Sequence, residues 1–173
     1  MEEKYFLHRI QAEGDSFTKG IEVQDTLDAA ILSFWGRMKM AYGATAVTFM
    51  SCKIMDMNGN VIAPYDLTWN ADAEFENKFF MHHIRLEGET YDKNIDVCAD
   101  FDTARSSYAA CMEYGYNNPR HPDVKFVSCE ITDRSGSVMI PFKETWKVYE
   151  PEPEPEPEPT PEPEPEPTPE PEE

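Results

Sequence analysis

A chain of 173 residues with 34 acidic against 15 basic side chains has a formal net charge of −19, a surplus that repels phosphate backbones and argues against duplex nucleic acid as a partner. The stretch from Glu150 onward holds 11 of those acidic residues and no basic one, so the rest of the chain carries 8 net negative charges. No apolar run approaches the roughly 18 residues of a membrane span, and the opening Met-Glu-Glu-Lys-Tyr lacks the pattern of a secretory signal, so a cytoplasmic protein without membrane contact is expected.

The first 149 residues contain one unit twice. Phe6, His8, Ile10, Gly14, Lys19, Ile21, Val23, Asp28, Ala30, Met38 and Tyr42 recur 74 positions later, as Phe80, His82, Ile84, Gly88, Lys93, Ile95, Val97, Asp102, Ala104, Met112 and Tyr116. After a three-residue insertion the offset is 77, and Val47, Phe49, Ser51, Cys52, Ile54, Asp56, Gly59, Val61, Pro64 and Trp69 return as Val124, Phe126, Ser128, Cys129, Ile131, Asp133, Gly136, Val138, Pro141 and Trp146. Equivalent residues of a duplication occupy equivalent environments. The organisation is therefore residues 1–73 as one repeat, 74–149 as a second, and 150–173 as a Pro-Glu tail.

Each repeat opens with a strand, Lys4 to Ala12 in the first, that is apolar on both faces: Tyr5 and Leu7 on one, Phe6 and Ile10 on the other. Lost alternation predicts a strand covered on both sides, the second cover being the other repeat or a partner. Glu13-Gly14-Asp15 is a turn. A shorter strand follows around Ile21 and Val23, and Gly20 is read with Gly14 and Gly59 as a turn glycine. Asp25 sits where a helix N-cap belongs, and in the second copy Asp100 takes that role. The helix spans about Thr26 to Tyr42 with Leu27, Ala30, Ile31, Phe34, Met38 and Ala41 on its buried stripe; its counterpart buries Phe101, Ala104, Tyr108, Met112 and Gly115. The loop that carries the insertion, Asn117 to Pro122 against Gly43-Ala44-Thr45 in the first copy, lies at the surface.

Asn58-Gly59 and Ser135-Gly136 close the hairpin of each repeat, with Asp56 and Asp133 as turn caps. On the third strand Met50, Cys52 and Ile54 face the helix, whereas Phe49, Ser51 and Lys53 form a mixed face less committed to the core. The fold class is α+β: a tandem duplication of a ββαββ unit, antiparallel sheets each backed by one helix and related by a pseudo-twofold axis. The tail alternates proline and glutamate, so it is read as a polyproline II rod reaching roughly 70 Å.

Cys52 and Cys129 are equivalents, but Cys98 and Cys111 have no counterparts, which points to free thiols rather than to a duplicated disulfide framework. His8 and His82 share a face with Phe and Ile; near a twofold axis they could join Cys52 and Cys129 around a metal, but no local ligand spacing supports one, and hydrogen-bonded histidines without metal or cofactor are expected. No nucleophile–base pair, P-loop or dinucleotide glycine motif occurs, so a non-enzyme is expected. If the copies face one another across a groove, its polar lining is Arg9, Arg85, His8, His82, Lys19, Lys93, Ser51 and Ser128, with Trp69 and Trp146 as aromatic walls.

The K-[YF]-F-x-H-x-I opening, the Asn-Gly hairpin and the endings Thr68-Trp69 and Thr145-Trp146 resemble those of small proteins encoded by phages and prophages of gut bacteria, often in single copy. The resemblance covers both repeats and not the tail, and implies no activity. It implies a bacterial host cell or a virion as the location; from the residues themselves, with arginine and lysine pairs to hold phosphates and tryptophans to stack a base, a non-catalytic binding protein that sequesters a nucleotide-like immune signal between its repeats is expected. The alternative it leaves is a virion-associated structural or protein-interaction module carried on the Pro-Glu spacer, a homo-oligomer being compatible with either.

Overall fold

The computed structural model describes residues 2–70, 78–114 and 118–148. The tail, Gly115 and Asn117 lie outside them.

Each repeat is a four-stranded antiparallel sheet with one helix on its outer face. In the first, β1 (Tyr5–Glu13), β2 (Ser16–Gln24), α1 (Leu27–Gly43), β3 (Phe49–Met55) and β4 (Val61–Asn70) give the strand order β2-β1-β3-β4. In the second, β5 (Phe79–Glu87), β6 (Thr90–Cys98), α2 (Phe101–Met112), β7 (Val124–Asp133) and β8 (Val138–Lys147) give β6-β5-β7-β8. The duplication and its α+β class are as read from the sequence. The glycines at 14, 59, 88 and 136 all have positive φ, but Gly20 lies within β2 and is not a turn residue.

The helix starts follow local chemistry. Asp100 caps α2, its side chain accepting the Thr103 N–H at 2.7 Å. In α1 the cap is Thr26, which accepts the Ala29 N–H, and not Asp25, whose carboxylate is taken by the Lys4 ammonium at 2.8 Å. The α1 stripe buries Ala30, Phe34, Met38 and Ala41 against Leu7, Met50, Cys52 and Ile54. α2 is shorter, 12 residues against 17, and buries only Ala104 and Met112.

The two sheets pack face to face, so the layers run helix, sheet, sheet, helix. The strand face read as mixed is thereby enclosed as well: Phe49 and Phe126 are fully buried and Lys53 is 4% exposed. Phe6 stacks on Phe126 at 5.6 Å and Phe49 on Phe80 at 5.8 Å, one contact seen twice through the pseudo-twofold axis. Phe6 with Tyr91 and Phe17 with Phe80 repeat the same symmetry. Burying a Phe contributes about 1.5–3 kcal/mol, so these rings dominate the cohesion of the halves.

The turn and ending motifs belong to this interface. Thr68 bonds Ser51 at 3.0 Å and Thr145 bonds Ser128 at 2.9 Å. Each threonine also fills the space beside the hairpin glycine of the other repeat, Thr145 against Gly59 and Thr68 against Gly136, where a Cβ would collide with the hydroxyl. Lys147 completes the crossing by donating to Asn58 Oδ1 at 2.6 Å.

Candidate functional site

The alternation of β1 and β5 sends His8 and His82 into the space between the sheets, where their Nδ1 atoms meet at 3.0 Å. Both rings are enclosed, and burial holds them neutral, pushing His8 down to about 3 and His82 well below the ordinary range. One Nδ1 must then donate to the other. His82 Nε2 is 2.9 Å from Thr132 Oγ1, while His8 Nε2 has no partner because the residue equivalent to Thr132 is Met55. Donation from His8 to His82, and from His82 to Thr132, leaves only a bare lone pair at His8 Nε2, which costs less than a buried orphan N–H.

Beside the histidines lies an ion pair between Lys53 and Glu130, with Glu130 3.9 Å from His8 and 3.8 Å from Lys143. Burial, the largest single cause, raises the Glu130 carboxyl, but the charge and hydrogen bond of Lys53 together with His8 and Lys143 outweigh it and the net displacement is downward. His8, His82 and Glu130 put three donor atoms within 4.8 Å of one another, a set of the kind zinc takes. Cys52 and Cys129 are not members: they sit on the opposite, helix-facing side of their sheets. Lys53 already supplies the positive charge at Glu130, so the cluster reads as a hydrogen-bonded network with its own counter-cation.

The expected groove between the repeats is filled by the packed sheets, and its ten candidate residues separate. His8, His82, Ser51 and Ser128 are locked between the sheets. Lys19 is there too, donating to the Ile95 carbonyl across the interface, and Lys93 is half-buried opposite Ile84 in the β5–β6 register. Arg9 and Arg85 point the other way, toward the helices, because they alternate with His8 and Ile84. Trp69 packs edge-on to Tyr42 at 5.8 Å on the outer face, and Trp146 packs with Met112, Val127 and Cys129.

The open concavity is on the outer face of the second repeat, between α2 and strands β5 and β6. It has a volume of about 370 Å³, and its lining includes His83, Arg85, Asp92, Asp96, Cys111 and Tyr114. Arg85 organises it: the guanidinium lies 4.4 Å over the Tyr114 ring and bonds Asp92 at 2.9 Å. His83 Nε2 is 3.9 Å from the same carboxylate. In the first repeat the place of Cys111 is taken by Arg37 and that of Asp96 by Glu22, and these longer side chains form a 2.6 Å salt bridge where the second repeat has the hollow. A smaller hollow of about 270 Å³ adjoins it, sharing Tyr114 and lined by His121 and Trp146.

Of the expected site residues only Arg85 is in this cleft. Most of its other lining differs between the copies, and that difference is the available signal: His83 replaces Arg9, Cys111 replaces Arg37 and Tyr114 replaces Met40. Among the described residues no helix is long and apolar enough to cross a membrane. No family model, curated protein or solved structure matches the chain.

Proposed function

We propose that the chain is a non-catalytic binding protein whose ligand site is the cleft between α2 and β5–β6. The supporting observation is the asymmetry of the duplication: the copies agree in core and turns but diverge where Arg37 and Glu22 fill one copy and Cys111 and Asp96 leave the other hollow. The volume, about 370 Å³, suits a small molecule. Its charge narrows the class. Asp92 and Asp96 offset Arg85, so a phosphate-rich ligand finds no surplus positive charge, whereas a neutral nucleoside-like molecule finds donors and acceptors of both kinds in Arg85, Asp96 and Ser107, an α2 residue that also lines the cleft.

Thermal unfolding against nucleosides, cyclic nucleotides, ADP-ribose nucleotides and amino acids tests this, since a ligand that binds the folded state raises the midpoint. A rise is expected with nucleosides and not with their phosphates. A flat response to the whole panel ends the reading.

A second reading, an assembly component, is favoured by α1. Leu32 (77% exposed), Trp35 (50%), Met40 (66%) and Tyr42 (58%) present large apolar side chains on its outer face around Gly36, which has open space beside it. Such a helix suits close approach of the same helix from a second copy. A dimer in light scattering that Trp35→Ser dissociates supports this reading, and a monomer at all concentrations removes it.

A further inference from the structure

We propose that Cys111 and Cys129 form an oxidisable dithiol at the floor of the cleft, with Cys111 as the thiol that meets a small oxidant of the peroxide class and Cys129 as the thiol that resolves it. The two are free thiols, one on α2 and one on β7, and their Sγ atoms are 2.6 Å apart. That is within about 0.6 Å of a bonded S–S distance, so the two sulfurs are already placed to bond. Cys111 is half-buried and lines the open cleft, whereas Cys129 is 1% exposed and lies behind it, in contact with the Cys111 sulfur. This is the layout of an attacking and a resolving cysteine.

The electrostatics agree. The hydrogen bond from Cys129 holds the Cys111 thiol below its ordinary value, outweighing burial and assisted by the charge of Arg85, and the same contact pushes Cys129 up. Repeat 1 supplies an internal control. Cys52, the equivalent of Cys129, faces Arg37 in place of a second thiol, and burial pushes it up to about 12. Cys98, which has no second thiol beside it but a weak 3.9 Å contact to the Asp96 carbonyl and a hydrogen bond with the Met81 backbone, is also raised, chiefly by burial.

The chemistry balances in two steps. The Cys111 thiolate attacks one peroxide oxygen and breaks the O–O bond, giving Cys111 sulfenic acid and hydroxide. The Cys129 thiol then condenses with it, forming the S–S bond and releasing water; the peroxide is reduced by two electrons and the two thiols are oxidised. The bond would tie the last turn of α2 to β7.

The test treats the reduced full-length chain with hydrogen peroxide and follows each cysteine by alkylation and peptide mass spectrometry. Cys111 and Cys129 are expected to lose alkylation together, at least about tenfold faster than Cys52, with a linked peptide two hydrogens lighter. In Cys129→Ser the Cys111 sulfenic acid is expected to persist and be trapped by dimedone. Loss of Cys111 at the rate of Cys52, or a first disulfide joining any other pair, overturns the proposal. The readout is the thiol state itself, so it stands or falls independently of whether the cleft takes a ligand.

Discussion

Lys53 and Glu130 stand at equivalent positions of the two repeats and form one ion pair across the interface between them. Two identical copies would put lysine against lysine there, or glutamate against glutamate. The inversion extends to the neighbouring strands, where Lys53 is in register with Asp66 and Glu130 with Lys143. The halves have therefore diverged into a complementary pair. Removing one partner leaves a buried uncompensated charge, so Lys53→Met is expected to cost about 3–5 kcal/mol. Replacing both, Lys53→Met with Glu130→Leu, is expected to recover most of that loss. Urea unfolding of the two singles and the double gives the coupling, and additive losses would show that the pair does not act as a unit.

The hairpin glycines carry a second prediction, because Gly14 and Gly59 both have positive φ but only Gly59 abuts another repeat. Gly14→Ala meets open space and is expected to cost only the backbone term, about 1–2 kcal/mol. Gly59→Ala drives a methyl into Thr145, breaks its bond to Ser128 and is expected to cost at least about 1 kcal/mol more. Equal losses for the two variants in thermal unfolding would mean that the hairpin tip yields freely and is not part of the interface.

Legibility of the sequence followed from what the duplication repeats. Strands, turns and helix stripe were readable because Phe6, Gly14, Ala30 and Ile54 return at constant offsets, and equal spacing implies equal environment. The facing of the sheets was half readable. The doubly apolar first strand required a cover, but Lys53 and Glu130 made the inner face of the third strand look wet, since charge complementarity across an interface is invisible until the two positions are known to meet. The cleft was not readable from repetition at all. It arises from His83, Cys111 and Tyr114, which have no counterparts, and from the shortening of Arg37 and Glu22 to Cys111 and Asp96. The differences between the copies, and not the identities, mark it.

Those same two differences yield a third prediction. Cys111→Arg combined with Asp96→Glu rebuilds in the second repeat the salt bridge that fills the first. The chain is expected to stay folded, within about 1 kcal/mol, because the replacement pair already fits the equivalent backbone and a partly exposed ion pair contributes little. Any ligand-dependent rise in the thermal midpoint is expected to vanish. A rise that survives the double substitution would move the binding site elsewhere.

Acid sensitivity gives the fourth. His8 is held down to about 3 and His82 also lies well below the ordinary value of about 6.5, so each binds a proton more readily in the unfolded chain. Burial is the largest cause for both rings; Lys53 works with it on each, Lys143 also on His8 and His8 also on His82, and only Glu130, beside His8, favours protonation, which burial outweighs. For groups with depressed folded values, the stabilisation is full above the unfolded value and is lost as pH falls from about 6.5 toward 3. Glu130, also depressed, adds a loss of the same sign at lower pH. Two histidines give a limiting slope of about 2.7 kcal/mol per pH unit, beginning well above the range in which ordinary carboxylates titrate. His8→Leu is expected to halve that slope while costing about 1–3 kcal/mol at neutral pH, because His82 Nδ1 loses its partner. Urea midpoints measured between pH 7.5 and pH 5 decide it: a flat wild-type profile over that span would mean that the buried rings do not stay neutral, and the cluster at the twofold axis would need a different charge assignment.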